Sequence, residues 1–274
     1  MTLADDPGFA LLLLRLQGRG LPPLEVYKDR CLRRRLAVRM RACGVKTVSE
    51  YAELLDRRPG EAERLLEAIT INVTSFFRNP ETWVRLEAAL PALHERGGRR
   101  DRYVAWSAGC ATGEESWTLA MLLAVVLERA GHRPVPSRLR VDATDVDAGC
   151  LDVARAGRYP EAAFAETPVE LASHWTVPED GGRVIGPALR RLVRFHRHDL
   201  ARDPAPEPPY DVVVCRNVLI YFSRGMQEGL FLRFAEALRP GGFLLLGKVE
   251  TLYGKARECF ESVDGRERLF RRLA

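Results

Sequence analysis

The N-terminal part of the chain is patterned as helices. Between 27 and 45, apolar residues recur every three or four positions and cations fill the positions between them, which predicts an amphipathic helix with a cationic face. A second helix is predicted to start at a cap formed by Thr47 or Ser49, and a third covers 61–71. The pattern therefore predicts an all-helical N-terminal domain over 1–85.

Beyond residue 102 the pattern changes to short apolar runs that alternate with amphipathic helices. Such alternation is typical of a mostly parallel sheet with helices on both faces. The stretch 157–191 differs because it contains four prolines and a Gly-Gly pair, and it is predicted to be an insertion of small strands or turns. We therefore predict an α/β domain over 86–274. Its strands are predicted at 103–107, 139–144, 192–196, 210–214 and 242–246, and its helices at 115–130, 148–156 and 226–238.

Composition narrows the class of protein. At 274 residues the chain can form one large domain or two modest ones, and its 46% hydrophobic and 29% charged residues are typical of globular chains. No apolar run is long enough for a membrane helix, and the N-terminus lacks the basic start of a signal peptide. The six cysteines form no CxxC pair, which favours reduced thiols. We therefore expect a cytoplasmic protein that does not insert into membranes.

The positive charge of the chain is concentrated in the helix predicted over 27–45, which we call the basic helix. Lys28 to Arg41 holds seven cations and one acid, a local excess that exceeds the net charge of +5. The rest of the chain is thus close to neutral, so the protein is not generally basic. We expect the basic helix to face an acidic partner.

A glycine loop follows the first predicted strand and reads SAGCATGEE over 107–115. In open α/β sheets, ligands bind at the carboxyl ends of strands, where this loop is predicted to lie. Gly109 and Gly113 let the backbone approach a ligand closely, but their spacing matches neither the dinucleotide nor the Walker fingerprint. Glu114 and Glu115 would repel a pyrophosphate and suit a cationic ligand. The alternative is a tight turn with two acids in the first turn of a helix, where acids are favoured anyway.

An acidic segment ends the second predicted strand and reads TDVD over 144–147. A carboxylate at this place can accept hydrogen bonds from a ribose diol. Alternatively, Asp145 or Asp147 caps the next helix. The acidic segment and the glycine loop together favour a cationic ligand that contains a nucleoside and lacks a pyrophosphate. S-adenosylmethionine has these properties, and we predict it as the cofactor.

Two further clusters combine polar and aromatic residues. NVTSFFR occupies 72–78, and its two phenylalanines are either core aromatics or part of a site. CRNVLIYF occupies 215–222 directly after a predicted strand, which places Arg216 and Asn217 at the edge of the sheet. The HRH triplet at 196–198 lacks an evident third ligand, so we predict no metal site.

These four strings, in this order, make the chain resemble the CheR family of chemotaxis receptor methyltransferases from about residue 27 to 254. The resemblance implies a Rossmann-like class I S-adenosylmethionine-dependent methyltransferase domain with a small β-subdomain insertion, preceded by an all-α domain. It implies transfer of a methyl group to glutamate side chains in the cytoplasmic helical region of a chemoreceptor, with S-adenosylhomocysteine as product. In the family the β-subdomain, here 157–191, docks on the receptor or its tethering peptide. A monomer without a nucleic-acid partner is predicted.

The resemblance also assigns roles to individual residues. It implies that Arg78 contacts the cofactor or the reacting centre and that Tyr221 lies close to the transferred methyl group. Because methyl transfer to a carboxylate needs a donor that orients it, we predict Arg78 and Tyr221 as the catalytic residues. Glu115, rather than Glu114, is expected at the methionine portion of the cofactor, and Asp145 at its ribose. The residues expected to contact the cofactor are Asn72, Thr74, Arg78, Gly109, Glu115, Asp145, Asp199, Leu200, Arg216 and Asn217. The residues of the basic helix expected to contact the receptor are Arg33, Arg34 and Arg35.

The chain departs from the family at two motifs. It reads GKVE at 247–250 where the family commonly has GHSE, and Asp199 replaces an asparagine, which removes an amide donor beside the adenine. No receptor-tethering module follows the catalytic domain, and we expect a tether-independent member. Two other functions stay open at this point. One is a nucleic-acid methyltransferase that binds phosphates through the basic helix. Methyltransferases that act on amino groups of nucleic acids have a Pro-Pro-Tyr element after a strand, but the Pro-Pro-Tyr triplet of this chain, at 208–210, precedes the predicted strand. The other is a catalytically silent module that binds S-adenosylmethionine.

Overall fold

The chain forms two compact units in a computed structural model that describes residues 3–16, 19, 21–70, 72–95 and 102–274. The first unit comprises Met1–Asn72 and Tyr221–Met226, and the second comprises Val73–Ile220 and Gln227–Ala274. The division falls earlier than the predicted bound of 85. The reason is that Trp83 and Leu86 are buried in the core of the second unit.

Helices build the first unit. They are α1 (Pro7–Leu16), α2 (Asp29–Cys43), α3 (Val48–Arg57) and α4 (Glu61–Ile69). Helix α2 is the basic helix, and it buries Leu32 and Leu36. Helix α3 begins at a predicted cap, where the Thr47 hydroxyl accepts from the Glu50 amide and the Glu50 carboxylate accepts from the Thr47 amide. Helix α4 stops short of the predicted residue 71, which lies outside the described residues.

A buried ion pair ties α2, α3 and α4 together. Arg39 donates to the fully buried Glu61 from Nε to Oε1 at 2.9 Å and from Nη2 to both carboxylate oxygens at 2.8 Å. The Tyr51 hydroxyl donates to Glu61 Oε1 at 2.8 Å. Burial alone raises the pKa of Glu61, but these hydrogen bonds outweigh it and hold the pKa below its usual value. The carboxylate is therefore fully partnered and fixes the three helices.

The described part of the second unit contains ten strands. They are β1 (Tyr103–Ala108), β2 (Leu139–Asp145), β3 (Arg158–Pro160), β4 (Thr176–Glu179), β5 (Gly182–Ile185), β6 (Val193–Arg197), β7 (Tyr210–Cys215), β8 (Leu238–Leu246), β9 (Phe260–Asp264) and β10 (Leu269–Arg272). Seven of them form one sheet in the order β6-β2-β1-β7-β8-β10-β9. The first five of that order are parallel, and β10 is antiparallel to both of its neighbours. The predicted mostly parallel sheet is confirmed.

Helices alternate with these strands. The remaining helices are α5 (Pro80–Ala89), α6 (Ala92–Glu95), α7 (Glu114–Arg129), α8 (Ala148–Ala156), α9 (Val169–Trp175), α10 (Pro187–Arg190) and α11 (Arg224–Ala237). Helix α7 is buried along most of its length and packs on β1 and β2. Strands β3, β5 and β4 form a separate antiparallel sheet within the predicted insertion. The small strands expected there are therefore present.

Two elements begin earlier than predicted. Strand β8 starts at Leu238, which pairs with Tyr210 ahead of a register shift. Helix α11 starts at Arg224, because the Ser223 hydroxyl accepts from the Met226 amide at 3.5 Å and so acts as a cap. Among the helices of the described residues, none has both the length and the apolar character needed to cross a bilayer.

Candidate active site

The carboxyl ends of three neighbouring strands meet at one edge of the large sheet. Strand β1 lies between β2 and β7, and Ala108 near the end of β1 pairs with Thr144 near the end of β2. Because these strands are parallel, the segments that follow them start side by side. The glycine loop follows β1, Asp145 ends β2 and Arg216 follows β7.

The glycine loop is fastened to the end of β2. The amides of Gly109 and Cys110 both donate to the Thr144 carbonyl, at 2.8 and 2.9 Å. Gly109 has a φ of +83°, and a Cβ at this position would lie 2.6 Å from the Val218 side chain. Only glycine meets both requirements, which fixes the path of the loop backbone beside the strand ends.

The two acids at the start of α7 have different partners. Ser107 Oγ donates to Glu115 Oε1 at 3.0 Å, whereas Thr112 Oγ1 donates to Glu114 Oε2 at 2.7 Å. Burial raises the pKa of Glu115 to about 7, against the opposing effects of the Arg216 charge and the Ser107 hydrogen bond. Glu115 is thus a buried carboxylate whose charge is only partly compensated. A cationic ligand would complete the compensation.

Asp145 is buried at the end of β2. The Ala111 amide donates to its Oδ2 at 2.8 Å, and the Asp147 amide donates to its Oδ1 at 3.0 Å. Burial raises the pKa of Asp145, and these hydrogen bonds oppose the rise. Asp147, not Asp145, caps α8 by accepting from the Cys150 amide at 3.1 Å. Each oxygen of Asp145 retains a lone pair that can accept a bond from a ligand hydroxyl.

Arg216 places a buried cation after β7. It is 5% exposed, and burial lowers the pKa of its guanidinium against the attraction of Glu115. Its Nη2 donates to Asn79 Oδ1 at 2.9 Å, and its guanidinium lies 5.2 Å from the centre of the Trp83 ring. No acceptor for its Nε is found among the described residues. A buried donor without an acceptor is unfavourable, so this N–H indicates a place for an acceptor group of a ligand.

The 72–78 segment is fixed by its aromatic residues. Phe76 stacks on Phe164 with ring centres 4.2 Å apart, and Phe77 is also buried in the core of the second unit. The interpretation of these two rings as core aromatics is therefore correct. Thr74 and Arg78 are half-buried on the same segment, and their contact with a ligand stays a prediction.

The segment predicted to lie beside the adenine follows β6 and is bonded to the end of β2. The His198 amide donates to the Asp145 carbonyl at 2.9 Å, and Leu200 is buried. Asp199 Oδ1 accepts from the Ala201 amide at 2.8 Å. This bond needs only an acceptor oxygen, which asparagine also has, so the replacement of asparagine by Asp199 is compatible with the local turn.

The histidines at 196–198 do not share one side of a strand. Strand β6 ends between them, so His196 is exposed and His198 is buried, with its Nε2 2.8 Å from the Pro204 carbonyl. Among the described residues, no cluster of histidine, cysteine and acidic side chains is suited to a metal ion.

Two predicted cofactor and catalytic residues lie in the first unit. Asn72 is the last residue of the first segment of that unit, 1–72, and Tyr221 is the first residue of its second segment, 221–226. The Tyr221 carbonyl accepts from the Lys28 amide at 2.8 Å, which connects these two segments within the unit. The roles of Asn72 and Tyr221 in the site stay predictions.

The predicted receptor-contacting residues also lie in the first unit and differ in exposure. Arg33 forms an ion pair with Asp29, with 2.7 Å between Nε and Oδ2. Arg34 is exposed, and Arg35 is half-buried. Of the three, Arg34 is therefore the side chain most accessible to a partner. Arg33 would have to break its ion pair with Asp29 before it could pair with an acid of a partner.

Two family models match nearly the whole chain. The model described as "CheR methyltransferase, all-alpha domain" matches residues 24–70, and "CheR methyltransferase, SAM binding domain" matches residues 72–269. The chain belongs to the CheR methyltransferase family. Together with the mostly parallel sheet, this finding confirms the predicted organisation, an all-α domain followed by an α/β S-adenosylmethionine-binding methyltransferase domain. It also confirms S-adenosylmethionine as the cofactor.

Similarity extends to individual CheR-like relatives. The chain is 35% identical to a chemotaxis protein methyltransferase of Listeria monocytogenes, over 85% of this chain and 86% of the relative. It is 32% identical to one of Salmonella typhimurium, over 94% and 88% respectively. It is 36% identical, over 90% of its length, to an uncharacterized 104.1 kDa protein of Rhodobacter capsulatus, of which it spans only 26%. A solved S-adenosylmethionine dependent methyltransferase from Mesorhizobium loti aligns with 57% of this chain and 51% of its own, at 18% identity and a TM-score of 0.31, too distant to inform on the site.

The residues at the sheet edge of this CheR-family chain fit S-adenosylmethionine. The partly compensated carboxylate of Glu115 suits a cationic group, such as the methionine portion of the cofactor. Asp145 has lone pairs for the ribose hydroxyls. Arg216 has an N–H donor without an acceptor, which suits a ligand carboxylate. The donor and acceptor set therefore matches the charge pattern of the cofactor.

Two side chains that shape this CheR-family site were not predicted from the sequence. The Tyr159 hydroxyl accepts from Trp117 Nε1 at 2.9 Å and donates to the Thr112 carbonyl at 2.6 Å, which supports the glycine loop from the insertion. Glu250 binds backbone amides of neighbouring turns, and its motif was noted only as a departure from the family. The Gly-x-x-Glu spacing after a strand was the one signal available.

Proposed function

We propose that this S-adenosylmethionine-dependent methyltransferase methylates glutamate side chains of a chemoreceptor and forms methyl esters. The observation that carries the proposal is the convergence of Glu115, Asp145 and Arg216 at one edge of the sheet, which suits a cationic nucleoside cofactor. The relatives named as chemotaxis protein methyltransferases support a chemoreceptor as the acceptor. S-adenosylhomocysteine is the second product.

Residues of the sheet edge bind the cofactor in this proposal. Glu115 binds the cationic methionine portion, Asp145 binds the ribose hydroxyls, and the Nε of Arg216 donates to the cofactor carboxylate. When bound, S-adenosylmethionine supplies an electrophilic methyl group on a sulfonium. The remaining proposed contacts are made by Asn72, Thr74, Arg78, Gly109, Asp199, Leu200 and Asn217.

The acceptor needs orientation rather than deprotonation. A glutamate with a usual pKa of about 4.3 is already ionised near neutral pH, so no general base is required. What remains is to strip water from the carboxylate and hold it in line with the methyl group. We assign this orienting role to Arg78 and to the hydroxyl of Tyr221. If Arg78→Ala and Tyr221→Phe both leave kcat/KM unchanged, the assignment is wrong.

The basic helix is the proposed receptor-binding element. Its cations, led by the exposed Arg34, suit the acidic, glutamate-bearing helices in the cytoplasmic region of a chemoreceptor. Arg33 and Arg35 contribute on the same helix. In this proposal the protein works as a cytoplasmic monomer that docks on the receptor through surface charge.

A nucleic-acid acceptor is not favoured. The named relatives are chemotaxis protein methyltransferases, which points to a protein acceptor. The Pro-Pro-Tyr triplet at 208–210 is also accounted for by packing, because Tyr210 is fully buried and its hydroxyl lies 3.0 Å from Asp142 Oδ2. A tyrosine so placed cannot stack on an extruded base.

The test is transfer of tritium from methyl-labelled S-adenosylmethionine. Purified protein is incubated with a cytoplasmic chemoreceptor fragment, with the same fragment after its candidate glutamates are changed to glutamine, and with DNA and RNA. We expect label on the unchanged fragment only, released as methanol by mild base because carboxyl esters hydrolyse readily. Label on nucleic acid, or tight cofactor binding with no transfer to any acceptor, would contradict the proposal.

A further inference from the structure

Glu250 is a buried carboxylate that bridges two turns at the sheet edge. It follows β8 and is 5% exposed. Its Oε2 accepts from the amides of Gly247 at 2.7 Å and Asn217 at 3.0 Å, and its Oε1 accepts from the amide of Ile220 at 3.3 Å. One side chain therefore fastens the segment after β7 to the turn after β8.

The Glu250 carboxylate holds a turn with an unusual backbone conformation. Asn217 has a φ of +62°, a left-handed conformation that asparagine tolerates better than most other residues with a Cβ. The turn after β8 approaches it closely, because a Cβ at Gly247 would lie 2.8 Å from the Asn217 nitrogen and 2.7 Å from Glu250 Oε2. The two turns are thus packed backbone against backbone around one carboxylate.

The chemistry of the site requires a carboxylate and not an amide. Both oxygens of Glu250 accept from N–H groups, and an ionised carboxylate offers acceptors on both sides. A glutamine would turn its own NH₂ towards one set of these amides, and the donors would repel each other. Burial raises the pKa of Glu250, and the backbone hydrogen bonds oppose that rise.

The neighbouring lysine holds the outer side of the same turn. Lys248 Nζ lies 3.4 Å from Glu267 Oε2 and 3.5 Å from Glu81 Oε2. Glu267 is itself buried and accepts from Thr82 Oγ1 at 2.6 Å. Lys248 thus ties the turn to α5 and to the β9–β10 loop, which shows how GKVE can support this turn without the histidine of GHSE.

We propose that Glu250 is a positioning residue, which fixes the 216–220 segment and thereby sets the affinity for S-adenosylmethionine without touching it. The segment carries Arg216 and Asn217, so the inference rests on the part of the proposed function that gives these two residues to the cofactor. It does not rest on the identity of the methyl acceptor.

The first measurement is cofactor binding in the absence of any receptor. Glu250→Gln is compared with Glu258→Gln, an exposed glutamate of the same unit, by titration calorimetry with S-adenosylhomocysteine. We expect the Kd to rise roughly tenfold in Glu250→Gln and to stay within twofold of the starting protein in Glu258→Gln. A Kd unchanged in both variants overturns the proposal.

The second measurement separates positioning from general stability. Amide hydrogen exchange of the free protein reports on the peptides that cover 216–220 and 247–250. We expect faster exchange in these two peptides of Glu250→Gln, with the rest of the sheet unchanged. If exchange rises everywhere and the Kd of the folded fraction is normal, Glu250 only stabilises the fold and the proposal is wrong. Should Glu250→Gln not fold, Glu250→Asp keeps both acceptors on a shorter side chain and is expected to show the same local changes.

A third measurement uses the charge of Glu250, which raises the pKa of Glu115. The pH at which cofactor binding is half lost should therefore be lower in Glu250→Gln than in the starting protein, and an unshifted midpoint would contradict a position beside the cofactor site.

Failure of the proposed function would give a different result from failure of this inference. In that case the starting protein binds the cofactor, and the Glu250 variants still weaken binding, but no receptor fragment is labelled.

Discussion

Each unit of the molecule buries a glutamate, and the surroundings of the two glutamates change their pKa values in opposite directions. Glu61 in the first unit accepts from two nitrogens of Arg39 and from the Tyr51 hydroxyl, and its pKa is held below the usual value despite burial. Glu115 in the second unit accepts from Ser107, and burial raises its pKa to about 7. The first carboxylate is saturated with protein partners and the second is not.

The difference separates a scaffold charge from a ligand-binding charge. A fully partnered buried ion pair holds three helices in place and offers no interaction to a ligand. A buried carboxylate with an incomplete set of partners gains free energy when a cation arrives, because the ligand replaces the solvation that burial removed. Burial alone does not identify a functional acid; the partners around the carboxylate, and how far they compensate its charge, must be considered as well.

The largest expected effect is on stability, and it comes from the first unit. Arg39→Ala removes the hydrogen-bonded cation of the buried Glu61 carboxylate and leaves, among the described residues, only the cation of Arg64, whose Nη1 lies 3.8 Å from Glu61 Oε2. This loss should lower the free energy of unfolding by about 3 kcal/mol. Urea unfolding measures this, with Arg34→Ala on the same helix as the control, because Arg34 is exposed and should change stability by less than about 0.5 kcal/mol. Equal losses in the two variants would remove the distinction between the two glutamates. Cofactor affinity of the folded Arg39→Ala protein should be unchanged.

The next effect concerns cofactor affinity in the second unit. Glu115→Gln removes the proposed charge partner of the methionine portion, which should weaken binding of S-adenosylhomocysteine roughly thirtyfold, or about 2 kcal/mol. Glu114→Gln is the matched control, because Glu114 is adjacent in sequence and is bonded to Thr112 instead. The Kd from titration calorimetry should change less than threefold in the control. A larger loss in Glu114→Gln than in Glu115→Gln would show that the wrong acid was assigned.

The grouping of the site residues in the second unit could be predicted from the sequence. Glu115, Asp145 and Arg216 stand at the ends of apolar runs, and parallel strands bring such positions to one edge, so local patterns were sufficient to group them. The alternation of strands and helices was equally local. The glycine loop and the acidic segment indicated the cofactor, and the family strings indicated the class of reaction.

Other features could not be predicted, because they depend on tertiary contacts without a side-chain pattern. Glu250 accepts from backbone amides, which every residue possesses, so no spacing of side chains marks its role. Trp83 and Leu86 belong to the core of the second unit, which moves the division between units away from the helical pattern that suggested 85. The saturation of Glu61 likewise needs three helices to be in place.

A smaller effect is the pH dependence of cofactor binding. The pKa of Glu115 is about 7 in the free protein, and a bound cation favours the ionised form. Binding therefore lowers this pKa and releases a proton, so affinity is lost as the pH falls through 7. The Kd should be roughly tenfold higher at about pH 5.5 than at about pH 7. Calorimetry in buffers of different ionisation enthalpy should detect the released proton.

Two variants sharpen the pH prediction. Glu115→Gln should give a Kd that does not change over the same pH range, because the titrating group is gone. Ser107→Ala removes a hydrogen bond that holds the pKa of Glu115 down, so the midpoint should move to higher pH. A pH dependence that persists in Glu115→Gln would assign the titration to another group.

The smallest expected effect tests whether the surface charge of the first unit serves the receptor and not the cofactor. Arg34→Glu should raise the KM for a receptor fragment about threefold to tenfold at low salt, and the difference should shrink at high salt because exposed charges are screened. The result for Arg33→Glu is harder to interpret, because this change also breaks the ion pair with Asp29. Reversal of Arg33, Arg34 and Arg35 together should enlarge the effect on the receptor while the Kd of S-adenosylhomocysteine stays the same. If the cofactor affinity fell in parallel, the basic helix would be structural, and the two units would not divide their charges between receptor and cofactor.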